Sequence, residues 1–146
     1  GAVSLWTAGE GHDRAGLTVS SLMVANGDPA QIVGLIDPDS ELAEALTRTG
    51  RAVVHLLEWA DRDLADAFGG MAPAPGGPFR LREWEPGDHG PVLPERTRAL
   101  VSAESATDVG WSRLVTARID AVSVVEDGRP LEHRRGRYRD AGSIAS

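Results

Sequence analysis

Three hydroxyl side chains fall within four residues near the start of the chain, in a segment that favours a β-strand. Thr18, Ser20 and Ser21 interrupt an otherwise apolar run. With the two-residue period of a strand, Leu17 and Val19 share one face with Ser21, while Thr18 and Ser20 share the other. Buried hydroxyls need hydrogen-bond partners. The segment therefore predicts contact with water, with backbone, or with a ligand rich in acceptors.

A helix start follows one apolar strand later. The chain turns at residues 26–29, returns as the apolar run Gln31–Ile36, and reaches Asp37-Pro-Asp-Ser40. Ser and Asp are typical of the first positions of a helix, which predicts a helix from about Ser40 to Thr49. The N–H groups and dipole at such a helix end favour an anion. A hydroxyl-bearing strand, an apolar strand and a helix N-terminus in succession indicate a phosphate-bearing cofactor.

The other residues with useful chemistry are histidines, arginines and aspartates. The four histidines are scattered singly, without metal-ligand spacing, and His55 lies in a β-branched run typical of a core strand. All fifteen basic residues are arginines. Four of these fall within residues 134–139, where they either hold a phosphate or form a solvated basic tail. Asp61, Asp63 and Asp66 have the spacing of a solvated helix face, so no metal site is predicted.

Composition excludes several classes of protein. The 146 residues carry a net charge of −7, with a pI near 5.0, which disfavours nucleic acid and anionic membranes as partners. Cysteine is absent, which excludes disulfides and thiolate chemistry. No apolar run is long enough for a transmembrane helix. A cytoplasmic protein is the expectation.

The remaining pattern predicts mostly antiparallel strands around two short helices. The second helix is predicted at Asp61–Phe68, and the further predicted strands are Ala2–Ala8, Arg51–Leu57, Phe79–Trp84 at an edge, Arg98–Ala106, Val109–Glu126 and Leu131–Tyr138. Strand spacing and turn density favour an antiparallel barrel with helices outside over a parallel α/β sheet. We expect one domain over residues 1–139 and a flexible tail at 140–146.

Taken in order, these motifs resemble the flavin reductase-like, FMN-binding split-barrel family. They are Gly16-Leu-Thr-Val-Ser-Ser21, Asp28-Pro29, Asp37-Pro-Asp-Ser40, Asp63-Leu-Ala-Asp-Ala-Phe68 and Leu131-x-His-Arg-Arg-Gly-Arg-Tyr138. The match extends over almost the whole chain. The resemblance implies a mainly β fold, an antiparallel six-stranded split β-barrel with about two short flanking helices. It also implies a homodimer that binds FMN, with FAD as a possible replacement.

The resemblance further implies roles for particular residues. Those expected to bind the cofactor are Leu17, Thr18, Val19, Ser20, Ser21, Asp37, Asp39, Ser40 and Arg135. The hydroxyl-bearing strand is expected along the flavin, and Ser40, with the aspartates before it, near the phosphate. His133 is the expected catalytic residue, on the nicotinamide side, and Arg135 is expected to meet a dinucleotide phosphate.

The implied activity is reduction of FMN by NADH or NADPH, with the flavin either tightly bound or released to a partner monooxygenase. Such an enzyme needs little acid–base machinery because the cofactor carries the chemistry. That agrees with a sequence in which no nucleophile–base pair is evident. Two alternatives stay open: a dimeric flavin-binding or storage protein without turnover, and an oxidoreductase of the same fold that uses a deazaflavin.

Overall fold

The structure is a computed structural model that describes residues 2–126, 130–134 and 137–140. Its strands and helices are β1 Ser4–Ala8, β2 Ala15–Val19, β3 Met23–Ala25, β4 Gln31–Ile36, α1 Glu41–Thr49, β5 Arg51–Leu56, α2 Arg62–Phe68, β6 Arg98–Val109, β7 Ser112–Ser123, β8 Leu131–Arg134 and β9 Arg137–Asp140. No helix within these residues has the length and apolar character needed to cross a membrane. Of the predicted tail, residues 141–146 lie outside the described residues.

One antiparallel sheet dominates the fold. Its seven strands lie in the order β2-β1-β5-β6-β7-β4-β3, and β8 and β9 form a separate pair. The sheet curls, so that Trp6 of β1 contacts Gly34 of β4 across the interior. The contact is close: a Cβ on Gly34 would lie 2.8 Å from Trp6 Cζ2. The predicted mainly β class with two short helices is confirmed.

The predicted count of six strands is wrong, because the hydroxyl-bearing strand breaks after Val19. The chain leaves the β1 ladder there and begins a new pairing with β4 at Met23. Between them, the Ser21 hydroxyl accepts a hydrogen bond from Leu35 N at 2.8 Å and donates to Leu35 O at 3.3 Å. This side chain takes the place of a backbone pairing. One continuous segment thus supplies both outer strands of the curled sheet.

Two apolar clusters hold the helices against the sheet. Inside the curl, Trp6 and Ile36 pack with Leu42 and Leu46 of α1. The second cluster lies under α2 and includes Leu5, Leu64, Phe68 and Leu131. Leu131 also ties the β8 segment to the sheet, since its N–H donates to Leu57 O and its carbonyl accepts from Val3 N. The start of β1 and the end of β5 are therefore joined through β8.

Three predicted strands have different bounds in the structure. The segment Phe79–Trp84 is not a strand, and its first residues belong to a short 3-10 helix, Pro78–Leu81. The rings of Phe79 and Trp84 both pack against Phe68, with ring centroids 4.9 and 6.0 Å from that of Phe68, which is incompatible with the alternating faces of a strand. The long hairpin turns at Gly110–Trp111, later than predicted, and Gly110 has the positive φ of 57° that this turn requires. The predicted strand Leu131–Tyr138 is a pair of strands, β8 and β9.

Asp61 is not part of a solvated face, contrary to the sequence interpretation. Its side chain is fully buried, and its two oxygens accept hydrogen bonds from Arg96 at 2.6 and 2.9 Å and from Arg82 at 3.1 Å. Asp63, by contrast, is 54% exposed, as predicted, although it also contacts Arg82. His55 is a buried core residue, also as predicted. Its Nδ1 lies 3.1 Å from Leu5 O, and its Nε2 accepts from Leu93 N at 3.0 Å.

Candidate functional site

The two segments expected to bind a cofactor meet at one end of the curled sheet. The Ser21–Leu35 hydrogen bonds place the hydroxyl segment beside the end of β4. Asp37 follows Leu35 by two residues, and α1 begins at Glu41. The fold therefore brings together segments that are about fifteen residues apart in the chain, as the sequence pattern requires of a shared site.

The start of α1 has the expected cap, but the Ser40 hydroxyl already donates its proton and accepts a bond within the protein. This hydroxyl accepts from Ala43 N at 3.1 Å and donates to Asp37 O at 2.7 Å. Asp37 Oδ1 in turn accepts from Asp39 N at 2.9 Å. The first turn of a helix lacks intrahelical acceptors, so the N–H groups of Glu41 and Leu42 are the ones left to bind a ligand.

Among the residues of the hydroxyl segment, Ser20 has the side chain most open to a ligand. Thr18 donates its proton to Ala65 O of α2 at 2.7 Å, and Val19 is only 2% exposed. Leu17 is half-buried against the inner cluster. Ser20 is exposed, and its hydroxyl has no hydrogen bond to any described residue. The predicted alternation of faces is correct over Leu17–Val19. The side chains of these residues nevertheless pack within the protein: Leu17 and Val19 lie on the inner cluster, and Thr18 bonds to α2.

Backbone groups supply the rest of the hydroxyl segment's binding capacity. β2 is the outermost strand on its side of the sheet, paired with β1 only. Along the other edge of an outer strand, N–H and C=O groups have no ladder partner. The backbone of Val3 bonds to Leu57 and Leu131, so Ser4 and Trp6 turn theirs toward Val19 and Leu17 of β2, and Val19 O also accepts from the Ser4 hydroxyl at 2.7 Å. Thr18, between Leu17 and Val19, is therefore the residue of the three whose backbone groups face the outer edge.

Sequence reasoning missed an apolar surface beside these polar groups. Leu35, whose backbone bonds to Ser21, is 41% exposed, and Met23, two residues after Ser21, is 62% exposed. Met23 pairs with Val33, two residues before Leu35, so Met23 and Leu35 share one face of the sheet. Exposed apolar side chains beside convergent donors are typical of a site for a flat heteroaromatic ligand. The run Leu22-Met-Val-Ala25 was the available signal, but its exposure depends on where the strand breaks.

The predicted catalytic histidine lies on β8, at the same end of β1 as the hydroxyl segment. Ala2 bridges to Glu132, and Ser4 pairs with Val19, so the backbone of His133 is near the end where β2 finishes. Its backbone pairs with Tyr138 of β9. The side chain of His133 is not among those described. Arg135 lies outside the described residues altogether.

The charges around the start of α1 are mainly negative. Asp37, Asp39 and Glu41 are exposed there, and Glu44 lies one turn further on. Arg48, in the last turn of α1, lies 3.9 Å from Glu44 and bonds to Asp13 O at 3.0 Å. Asp37, Asp39 and Glu41 have no ion pair with any described residue. The site fits a flavin through neutral donors: an open hydroxyl, helix N–H groups, strand backbone and an apolar surface.

A curled antiparallel sheet with such a site at its end is the architecture of the flavin reductases. The family model for the flavin reductase like domain matches residues 1–142. A relative from Streptomyces nodosus subsp. asukaensis, the NADH-dependent FMN reductase AsuE2, is 30% identical over 142 residues. This covers 93% of the chain and 76% of the relative. The chain belongs to the flavin reductase-like family.

Solved structures have the same fold. The NADH:FAD oxidoreductase SgcE6 of Streptomyces globisporus C-1027, in complex with NAD and FAD fragments, superposes with a TM-score of 0.85 at 17% identity, covering 99% of this chain and 87% of that one. A nitrilotriacetate monooxygenase component B from Mycobacterium thermoresistibile gives 0.83 at 22% identity, covering 99% and 84%. At these identities the similarity establishes the fold.

Proposed function

We propose that this protein is an NAD(P)H-dependent flavin reductase whose preferred flavin is FMN. The observation that carries the proposal is the meeting of the Ser20–Ser21 segment with the start of α1, within a chain matched almost end to end by the flavin reductase family. AsuE2, described as an NADH-dependent FMN reductase, supports NADH as donor and FMN as acceptor. FAD is the second candidate flavin, because SgcE6 is an NADH:FAD oxidoreductase.

The residues of this chain bind and orient the reactants. A bound flavin would supply the redox chemistry, as acceptor of a hydride from reduced nicotinamide. Ser20 and the β2 backbone hydrogen-bond the polar edge of the ring system, and Leu35 with Met23 packs against its apolar part. The N–H groups of Glu41 and Leu42 bind the phosphate. A catalytic base is not required of these residues, since their task is orientation and exclusion of water.

We further propose a homodimer that folds as a split barrel and supplies reduced flavin to a separate monooxygenase. A curled sheet with outer strands β2 and β3 leaves edges that a second copy can cover. The nitrilotriacetate monooxygenase component B among the structural relatives supports the two-component arrangement. Cytoplasmic location stays a prediction.

The activity is tested by steady-state oxidation of NADH and of NADPH with FMN, FAD and riboflavin as acceptors. We expect oxidation to depend on both protein and flavin, with the highest kcat/KM for FMN. Flavin that binds tightly but causes no NADH or NADPH oxidation would instead favour a storage protein. Turnover with a deazaflavin alone would assign the other alternative from the sequence.

Replacing Ser40 by aspartate is expected to separate phosphate binding from helix capping. Aspartate caps a helix as well as serine does, so the helix start is kept and the loss of stability should be limited to the hydroxyl's bond to Asp37 O, about 1 kcal/mol. Its negative charge lies beside the proposed phosphate and repels it. If this repulsion offsets the attraction of the phosphate to the helix N-terminus, which is about 0.3–2 kcal/mol, the affinity falls about tenfold. Titration by flavin fluorescence should therefore show FMN weakened about tenfold and riboflavin hardly at all. Equal weakening of FMN and riboflavin would show that the phosphate does not bind at the start of α1.

Replacing His133 by alanine is expected to affect the nicotinamide and to leave the flavin alone. The proposal is that this residue hydrogen-bonds the nicotinamide carboxamide, which raises the KM for NAD(P)H or slows flavin reduction when lost. Flavin affinity and melting temperature should match the parent protein. His12→Ala, at an exposed position in the β1–β2 connection, is the control. Stopped-flow reduction rates that coincide with the parent's at every nicotinamide concentration would exclude His133 from the reaction.

A further inference from the structure

Arg113, near the start of β7, has a partly buried guanidinium that makes no hydrogen bond to any described residue. The other partly buried arginines with described side chains all donate to carboxylate or carbonyl oxygens; they are Arg82, Arg96 and Arg98. Arg113 has one ion pair, with Asp108 at 3.8 Å, and the side chain of Asp108 is 81% exposed. A guanidinium carries five N–H donors, so that of Arg113 is available to an anion.

Strand pairing determines the direction of the Arg113 side chain. Arg113 lies directly opposite Ile36 of β4. Opposed residues of an antiparallel pair have their Cβ atoms on one face, about 4.5–5.5 Å apart. Ile36 belongs to the inner cluster, and so does Val115, two residues after Arg113 on the same face of β7. The side chain of Arg113 therefore extends from the inner face of the curled sheet, at the end where β4 finishes.

Arg113 also lines the same groove as the first part of α1. This groove encloses about 290 Å³ between α1 and the β6–β7 hairpin, and Ile36 and Ala43 are among its walls. Ala43 N donates to the Ser40 hydroxyl that caps the helix, and Ile36 directly precedes Asp37, where the turn into α1 begins. The cross-strand pair and the shared groove both place Arg113 beside the start of the helix.

We infer that Arg113 binds the phosphate of the flavin, together with the N–H groups at the start of α1. The inference rests on the proposed function, which places the phosphate there through backbone donors. A phosphate monoester carries a charge of about −1.5 to −2 at neutral pH. A guanidinium can bind two phosphate oxygens through parallel N–H groups. Arg113 thus gives FMN a contact that riboflavin, which has no phosphate, does not make.

The charges around the helix start explain why a cation is needed there. Asp37, Asp39 and Glu41 are exposed and form no ion pair with residues that the structure describes, so they repel an incoming phosphate. The helix dipole alone attracts an anion only modestly. Besides Arg113, the groove has one charged wall residue, Glu104, which lies 3.6 Å from Arg118. The positive charge of Arg113 therefore remains available to balance the phosphate.

Replacing Arg113 by glutamine is expected to weaken FMN and to leave riboflavin unchanged. Loss of hydrogen bonds between charged groups corresponds to about 10- to 100-fold in affinity. Flavin fluorescence titrations of the parent protein and the variant give both dissociation constants. The melting temperature should stay close to that of the parent, because the one ion pair of Arg113 is long and its partner is exposed.

Arg51→Gln is the matched control, since it removes the same charge from the far end of α1. Arg51 is exposed, follows the C-terminal cap Gly50, and its guanidinium has no hydrogen bond within the part of the chain that the structure describes. Both flavins should bind this variant as they bind the parent. Arg113→Lys keeps the charge but not the paired donors, so FMN should weaken by about threefold, less than with glutamine.

Two results would overturn the inference. One is an FMN affinity of Arg113→Gln that matches that of Arg51→Gln, and the other is equal weakening of FMN and riboflavin. If the glutamine variant does not fold, the same comparisons are made with Arg113→Lys. Failure of the proposed function is seen in the parent protein instead. A parent that binds FMN without oxidising NADH leaves the role of Arg113 intact, whereas a parent that binds no flavin rejects both proposals.

Discussion

Replacing Asp61 by asparagine is expected to lower the free energy of unfolding by about 3–5 kcal/mol, the usual cost of breaking a buried ion pair. Asp61 is fully buried and accepts from Arg96 Nε at 2.6 Å and from Arg82 Nη2 at 3.1 Å. Burial raises the pKa of this carboxyl, but hydrogen bonds from Arg96 and from Glu58 N outweigh that effect, so the pKa is lowered. Asparagine keeps the shape and removes the charge that the two guanidinium groups need.

Urea unfolding gives the change in free energy, and Asp63→Asn is the matched control. Asp63 contacts the same Arg82, with distances of 2.9 and 3.0 Å, but its side chain is 54% exposed. Solvent-exposed ion pairs contribute about 0–1 kcal/mol, so the control should unfold almost as the parent protein does. If Asp61→Asn and Asp63→Asn lose similar stability, the buried cluster does not hold α2 and the Arg96 segment together.

Acid is expected to destabilise the protein by about 3 kcal/mol between pH 6.5 and pH 4, through His55 alone. Burial lowers the pKa of His55 from 6.5 to about 4. In the unfolded chain the same imidazole binds a proton as pH falls below 6.5, while in the folded protein it stays neutral. Stability is therefore full above pH 6.5 and is lost progressively as pH falls toward 4.

The pH range of this effect distinguishes His55 from two carboxylates with lowered pKa values, Asp61, which is buried, and Asp120, which is exposed. Asp61 and Asp120 have lowered pKa values, so their contribution is lost below the ordinary carboxyl value of 3.8. Urea unfolding across pH 4–7 should give a flat profile for His55→Gln and an unchanged slope for His12→Gln. A slope that persists in His55→Gln would assign the acid sensitivity to another group.

Local sequence signals correctly predicted features that depend on neighbouring residues, namely the turn between β3 and β4 and the two ends of α1. The turn between β3 and β4 follows from Asn26-Gly-Asp-Pro29, and the pairing across it is observed. Helix α1 begins after Ser40 and ends at Gly50, whose φ of 71° suits a glycine. Each of these signals requires only residues within one turn of the feature, which is why sequence suffices.

Features that depend on distant partners could not be predicted. Asp61 pairs with Arg82 and Arg96, which follow it by 21 and 35 residues, and no short-range pattern reveals such a cluster. The break after Val19 likewise depends on Leu35, 14 residues after Ser21. The predicted solvated face at Asp61 and the predicted continuous strand through Ser21 were both wrong because contacts with distant residues determine the structure there.

The sequence predicted which segments of the candidate site lie together, but it did not show which of their side chains bond within the protein and which are exposed. Hydroxyl residues and a helix start do converge, as the motif order required. Which hydroxyls face a ligand could not be read from the chain, because Thr18 bonds to Ala65 O and Ser40 bonds to Asp37 O. Ser20 is the open one. The apolar surface at Leu35 and Met23 could not be predicted, because the exposure of the run Leu22-Met-Val-Ala25 depends on where the strand breaks.

Anaerobic single-turnover mixing measures whether this protein transfers a hydride from nicotinamide to flavin. Protein with one equivalent of FMN is mixed with excess NADH in a stopped-flow spectrometer, and the visible absorbance of oxidised flavin is followed. We expect this absorbance to be lost in a single exponential phase, at a rate that rises with NADH concentration and saturates. Protein-bound FMN that stays oxidised in the presence of either NADH or NADPH would contradict it.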